Sequence, residues 1–394
     1  MSQGDGLDID RLRQETPGCS EVLHFDNAGS SLMPASVLAA QTGHLELEAK
    51  VGGYAAAGLA ADRIEAAYGS IAALINAAPE EIALVENATV AWSQAFGACS
   101  LGPGDRVLTA EAEYASNYLT FLKTAKDRGV RIEVVPSDES GQVSVEALAS
   151  MIDSRVKLIA MTHVPTNGGL VNPAAEIGRV AKDAGVPFLL DACQSVGQLQ
   201  IDVEAIGCDL LSATGRKYLR GPRGSGFLYV RRSLLDRLEP PFPDLHGATW
   251  TVAEGYRLRA DARRFENFDF NFAAVLGLGT AVDYALAVGM ETIETRVAWL
   301  ARRLRRILAD DMKLPVYDLG AKKCGIVTFT LPDRDAAQMQ ATLAAKQINV
   351  SISTPASTRI DAERRELPDL IRASLHYFNT EEEIDRFCFA LREP

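Results

Sequence analysis

"PFLLDACQSVGQLQIDVEAIGCDLLSATGRKYLRGPRGSGFLYV", residues 187–230, holds three short apolar runs separated by polar and glycine-rich turns. Runs of this kind, leucine-rich or aromatic and bounded by Gly and Pro, read as strands buried on both faces of a sheet. Two of them stop at residues able to do chemistry. "PFLL" ends on Asp191, and "DLLSA" runs into the loop "TGRK" that carries Lys217. Lys217 is the only lysine between Lys182 and Lys313 in a chain that prefers arginine. A lysine is ordinarily solvated and almost never fully buried unless paired, so its surroundings decide what this one does.

The same texture extends outward. "EIALVENAT" (81–89), "DRVLTAE" (105–111), "VRIEVVP" (130–136) and "VKLIAMTHV" (156–164) are further strand candidates, with helical patterns such as "VEALASMID" (145–153) and "AAEIGRVAKDAG" (174–185) between them. Strands 20 to 30 residues apart with intervening helices predict βαβ units and a mostly parallel sheet. Ligands of such sheets sit beyond the C-terminal ends of the strands, where Asp191 and Lys217 fall. From about residue 272 the pattern changes to two long helices (273–289 and 290–311), strands in 324–332, 348–353 and 370–378, and a final helix from Thr380 opened by a Thr-x-x-Glu capping box. The sequence thus predicts an α/β large domain over 15–265 and a smaller α+β C-terminal domain over 266–394, with residues 1–20 packing on it.

Bulk properties narrow the function. The chain has 394 residues, 47% hydrophobic and 23% charged, a composition ordinary for a globular protein. No apolar run approaches the roughly 20 residues needed to span a bilayer, and the N-terminus lacks the order of a signal peptide, so a cytoplasmic protein without a membrane partner is expected. The net charge of −12 disfavours nucleic acid. Six cysteines, Cys19, Cys99, Cys193, Cys208, Cys324 and Cys388, show no CxxC spacing, which argues against a metal site or a disulfide framework. "GPRGSG" (221–226) is no dinucleotide loop, because it precedes a strand, whereas that fingerprint follows a strand and opens a helix.

A carboxylate and a lysine held in one crevice are what pyridoxal 5′-phosphate requires. The amine condenses with the aldehyde, and the carboxylate keeps the pyridine nitrogen protonated so that the ring accepts electrons. The strings "FLLDACQSVGQLQIDV" and "DLLSATGRKYLRGPRGSGFLYV" resemble the class V aminotransferase family, which includes cysteine desulfurases, selenocysteine lyases, other C–S lyases and isopenicillin N epimerase-like enzymes. The resemblance rests on a D-x-x-Q pair followed by a [ST]-G-[HR]-K lysine motif, and runs in register from "HFDNAGSSLMP" (24–34) to "RASLHYFNTEEEIDRF" (372–387). It implies a fold-type I pyridoxal-phosphate enzyme, a homodimer with active sites near the subunit interface.

Residue by residue, the resemblance implies that Lys217 carries the cofactor, Asp191 pairs with the ring nitrogen and Gln194 hydrogen-bonds the phenolic oxygen. Thr214, Arg216, Ala88 and Thr89 hold the phosphate, in keeping with the anion affinity of a helix N-terminus. Tyr114 stands where desulfurases place a ring-stacking histidine. It can stack but carries protons poorly near neutral pH. Thr166 or Asn167 supplies a polar contact, and Asn271, near Asp269, reaches the neighbouring subunit's phosphate. Arg372 clamps the substrate carboxylate bidentately, with Asn27, Ala28 and Gly29 beside it. His163 reads as a packed core histidine, "HGATW" (246–250) as part of the substrate mouth, and Arg359 as a candidate for a second negative group.

Desulfurases need a mobile cysteine nucleophile upstream of that arginine. "SISTPASTRIDAERRELPDLI" (351–371) contains none, Cys324 and Cys388 look like core thiols, and Cys193 belongs near the ring. The expectation is therefore a lyase that cleaves the C–S bond of a cysteine-derived amino acid by β-elimination. Epimerisation and transamination are the alternatives on the same site chemistry.

Overall fold

The computed structural model describes residues 6–393. Seven strands form the main sheet: β1 (Ile82–Val85), β2 (Arg106–Ala110), β3 (Arg131–Val135), β4 (Val156–Thr162), β5 (Phe188–Asp191), β6 (Leu210–Thr214) and β7 (Gly226–Val230). Their spatial order is β1-β7-β6-β5-β4-β2-β3. Only β7 runs antiparallel to its neighbours; the β6–β5, β5–β4, β4–β2 and β2–β3 pairs are parallel. This is the fold-type I arrangement expected.

Both faces of the sheet are covered, which is why its strands read as continuous apolar runs. Phe188 and Leu190 point into one core, whereas Leu189, between them, joins Leu158 and Leu228 in the other. The helices that matter for the site are α1 (Ala35–Val51), α2 (Ala61–Ile75), α3 (Ala88–Ala98), α4 (Ala115–Arg128) and α5 (Ala174–Ala184). The last ends, as the sequence predicts, at Gly185 in a left-handed conformation with φ 66°.

Beyond them come α6 (Phe272–Val288) and α7 (Met290–Arg306), then a three-stranded antiparallel sheet of β8 (Ile326–Phe329), β9 (Ser351–Ser353) and β10 (Leu370–Ser374). Helix α8 (Glu381–Arg392) closes the chain, and its capping box between Thr380 and Glu383 is formed. Val327 and Phe329 of β8, Leu300 of α7 and Phe387 of α8 share a separate core. Two segments cross the expected division at residue 266. Helix α6 is apolar over most of its surface, Asp283 being exposed, and buries Val275, Leu278 and Val282 in the core of the large sheet. Conversely, Leu23 and Phe25 lie in the smaller core, where Leu23–His24 pairs with Ile348–Asn349. The short helix Ile9–Gln14 inserts Leu12 against Ile293 and Phe378. No single helix among the described residues is long and apolar enough to cross a membrane.

Candidate active site

Strands β4, β5 and β6 end together, at Thr162, Asp191 and Thr214, and a cavity of about 490 Å³ opens beyond them. Lys217 and Asp191 both line it, as do Ala88, Thr89, Tyr114, Thr166, Gln194, Thr214 and Arg216. Residues separated by up to 129 positions in sequence are gathered by one sheet edge and the first turn of one helix.

The buried surroundings set the charges. Lys217 is 9% exposed, and burial, more than any neighbour, pulls its amine below the ordinary lysine range. Burial likewise pushes the Asp191 carboxyl up, opposed by hydrogen bonds from Asn117 and from the Cys193 backbone and by the charge of Lys217. Its Oδ2 accepts from Asn117 Nδ2 at 2.8 Å and its Oδ1 from Cys193 N at 2.9 Å. Cys193 lines the cavity beside Lys217, and burial raises its thiol above the usual range.

Helix α3 points its N-terminus into the cavity. Asn87 caps it, accepting from Val90 N at 3.0 Å, so Thr89 in the first turn keeps its hydroxyl for other work. Arg216, whose guanidinium also donates to Gly29 O, faces this turn across the cavity.

Arg372 stands behind the cavity lining at Thr166: it donates to Thr166 Oγ1 at 2.7 Å and to Ser351 Oγ at 2.9 Å, with Asp26 Oδ1 at 3.4 Å. Gln194 Nε2 donates to Ala28 O at 3.2 Å and to Thr166 Oγ1 at 3.4 Å. The 27–29 segment therefore backs the cavity through its main chain. Asn27 itself donates to Ser374 O and accepts from Ser31, a structural use of its amide.

A model of the class V aminotransferases matches residues 23–387. The chain belongs to the class V aminotransferase family. Among class V proteins it is 30% identical to a probable cysteine desulfurase of Methanothermobacter thermautotrophicus, over 97% of both chains. The apo structure of a cysteine desulfurase from Thermococcus onnurineus NA1 superposes with a TM-score of 0.89 at 26% identity, over 97% of this chain and 96% of that one. A cystine C–S lyase solved with its reaction product, cysteine persulfide, has the same fold, with a TM-score of 0.86 at 23% identity over 95% and 98%.

Class V enzymes use pyridoxal phosphate, and this cavity fits that group on its own chemistry. It offers the Lys217 amine, the Asp191 carboxylate at the strand ends, an aromatic ring at Tyr114, and a helix N-terminus with Arg216 and Arg223 in the same lining, Glu86 being a second carboxylate at that helix start. The Gln194 Oε1 atom is buried without a partner, a polar atom left for something that occupies the space.

Some expected residues lie elsewhere. The sequence left Thr166 and Asn167 as alternatives; Thr166 lines the cavity, whereas Asn167 turns away. Its amide donates to Thr354 O and Thr358 Oγ1, both at 2.9 Å, and ties the rim segment down. Asn271, expected to reach the neighbouring subunit's site and not this one, caps α6 by accepting from Ala274 N and lines with Asp269 a smaller depression that shares Glu86 and Gly224 with the cavity. His246 of "HGATW" pairs with the buried Glu266 at 2.8 Å, outside the cavity. Arg359 is exposed and pairs with Glu363. His163 is buried, its ring pushed down to about 4 by burial, in keeping with a packed histidine.

Sequence reading missed Glu86, Asn117, Thr162, Arg223 and Gly224 in the cavity lining, whereas Cys193 lies on the wall beside Lys217, close to where the sequence put it. Glu113 was missed as well. For Asn117 a signal existed, because it stands four residues after Glu113 at a helix start.

Proposed function

We propose that this chain is a pyridoxal-phosphate-dependent lyase that cleaves the C–S bond of a cysteine-derived amino acid by β-elimination, without a persulfide-forming cysteine on its rim. The observation that carries the reading is the meeting of Lys217 and Asp191 in one cavity, in a chain whose 351–371 segment, just before Arg372, holds no cysteine.

In this reading Lys217 holds the cofactor aldehyde, Asp191 the ring nitrogen, Tyr114 one ring face, and the first turn of α3 with Thr214 and Arg216 the phosphate. When bound, the cofactor supplies an electron sink for the pair left at the substrate Cα. Arg372 orients the substrate through two parallel hydrogen bonds to its carboxylate, exchanging its present bond to Thr166. With its place on the cofactor taken by the substrate amine, Lys217 Nζ, whose basicity burial lowers, would be the group positioned to take the Cα proton. The Cβ–S bond then breaks, sulfur leaves with the bonding pair as a thiolate, and the remaining three-carbon fragment takes up water to give pyruvate and ammonia.

Cys193 is the thiol nearest this chemistry, but its place on the wall beside Lys217 and its raised pKa favour a neutral, fixed thiol over a nucleophile. Epimerisation and transamination share the proton abstraction and differ in the absence of a leaving group. A homodimer agrees with large apolar side chains left exposed: Tyr54, Leu59, Phe242, Leu245 and Trp250 are each at least 72% accessible.

The test is a pair of spectra on wild type and Lys217→Ala reconstituted with the cofactor, then challenged with L-cysteine, L-cystine and a cysteine S-conjugate. The expected result is a visible band in wild type alone and pyruvate from one of the three. A band without pyruvate would refute the lyase assignment, and no band in reconstituted wild type would refute the cofactor assignment as well.

A further inference from the structure

Behind Asp191 lies a second carboxylate that the chemistry above does not use. Glu113 is 3% exposed and accepts five hydrogen bonds. Its Oε1 receives Tyr114 N and Asn117 Nδ2, each at 2.9 Å, and Thr162 Oγ1 at 2.5 Å; its Oε2 receives Thr162 N at 3.0 Å and Thr109 Oγ1 at 3.1 Å. Asn117 Nδ2 has two hydrogens, and the second goes to Asp191 Oδ2 at 2.8 Å. One neutral amide therefore bridges two buried acids.

An acid in so dense a set of donors is built to bear a charge, yet burial works against that charge, and Asp191 on β5 adds to the opposition. Together they push Glu113 up to about 7. The other ionisable groups facing this pair are Lys217 and Cys193 beyond Asp191. On its own segment, Tyr114 turns its phenol out to partial exposure, and Glu111 is taken by Ser137 and Arg364.

We propose that Glu113, acting through Asn117, is a positioning residue that governs the charge behind Asp191 and thereby how strongly the site holds a protonated cofactor ring. The proposal rests on the cofactor reading above. A cation placed against Asp191 favours ionisation of both acids, so binding of the ring expels the proton that Glu113 keeps in the empty site. Affinity then rises with pH until Glu113 is ionised without help.

The experiment measures the cofactor dissociation constant by visible absorption between pH 5.5 and 8.5, for wild type and Glu113→Gln. If no visible band forms in either protein, the cofactor reading has failed and this inference with it. Given a band in both, the affinity of wild type relative to the variant is expected to rise about tenfold between pH 5.5 and 7.5 and then level off. A ratio that stays flat across that range overturns the proposal even where the variant binds more weakly, because a merely structural loss weakens binding equally at every pH. Should Glu113→Gln not fold, Asn117→Leu keeps both carboxylates but removes their shared donor. It is expected to move the rise at least one pH unit upward, and an unmoved midpoint overturns the proposal.

Discussion

Gly226 opens β7 opposite Val85 on one side and Thr214 on the other. A methyl group there would lie 2.6 Å from Ala213 O and 3.1 Å from both Cα and C of Asn87. Carbon and oxygen do not approach closer than about 3.3 Å without repulsion, so Gly226→Ala must spread β6 from the α3 cap by roughly 0.7 Å. All three contacts are backbone atoms, and no side chain can rotate away. Overpacking of this kind costs about 1–3 kcal/mol. Asn87 caps the helix whose first turn is assigned to the phosphate, and Thr214 stands on the other side of the same slot, so the displacement should also weaken cofactor binding roughly tenfold. Urea denaturation of the cofactor-free protein and a cofactor titration followed by visible absorption read the two effects separately. Gly69→Ala is the control: it lies within α2, where a methyl group meets nothing within 4 Å, and should stabilise by about 0.5–1 kcal/mol. If Gly226→Ala matches wild type in both stability and cofactor affinity, the close approach of β7 to the α3 cap is not what places the phosphate end.

Two further outcomes follow from the charges of the site. Burial raises Glu113 from 4.5 to about 7. Its contribution to stability is therefore complete below pH 4.5 and is lost as pH rises through 7, amounting to about 3 kcal/mol in the cofactor-free protein. The stability of wild type minus that of Glu113→Gln should fall by this amount across the window, and a difference that does not vary with pH would falsify the assignment. Arg372→Lys keeps the charge but loses the planar pair of donors. Steady-state kinetics on the substrate found by the panel should show kcat/KM reduced by about 2–3 kcal/mol of binding, with the cofactor band unchanged. An unchanged kcat/KM would remove Arg372 from carboxylate recognition.

Much of the architecture was legible because the sheet is buried on both faces. Runs such as Phe188–Asp191 and Gly226–Val230 then have no polar alternation to confuse them with surface strands, and they stop where chemistry begins. Lys217 and Asp191 could be found because each breaks an apolar run at a strand end. Glu113 was opaque for the opposite reason. In "AEAEYASNY" it is one acid among polar neighbours and resembles any solvated glutamate, and only the tertiary placement of Thr109, Thr162 and Asn117 around it reveals burial. The division at residue 266 followed a change of texture, but the apolar surface of α6 spans most of the helix, Asp283 and its neighbours excepted. Such a helix belongs to the layers that cover its apolar faces, here α1, α2 and the core of the large sheet.

The tie from Asn167 to Thr354 and Thr358 bears on how a sulfur product would depart under the proposed lyase chemistry. Thr358 is fully buried, Arg364 pairs with Glu111, and Arg365 donates to Tyr317 O at 2.6 Å. The rim is thus riveted to both lobes at several points. Under the proposed lyase chemistry, sulfur released beside so fixed a segment would leave as a free small molecule, its traffic set by diffusion and thiol exchange.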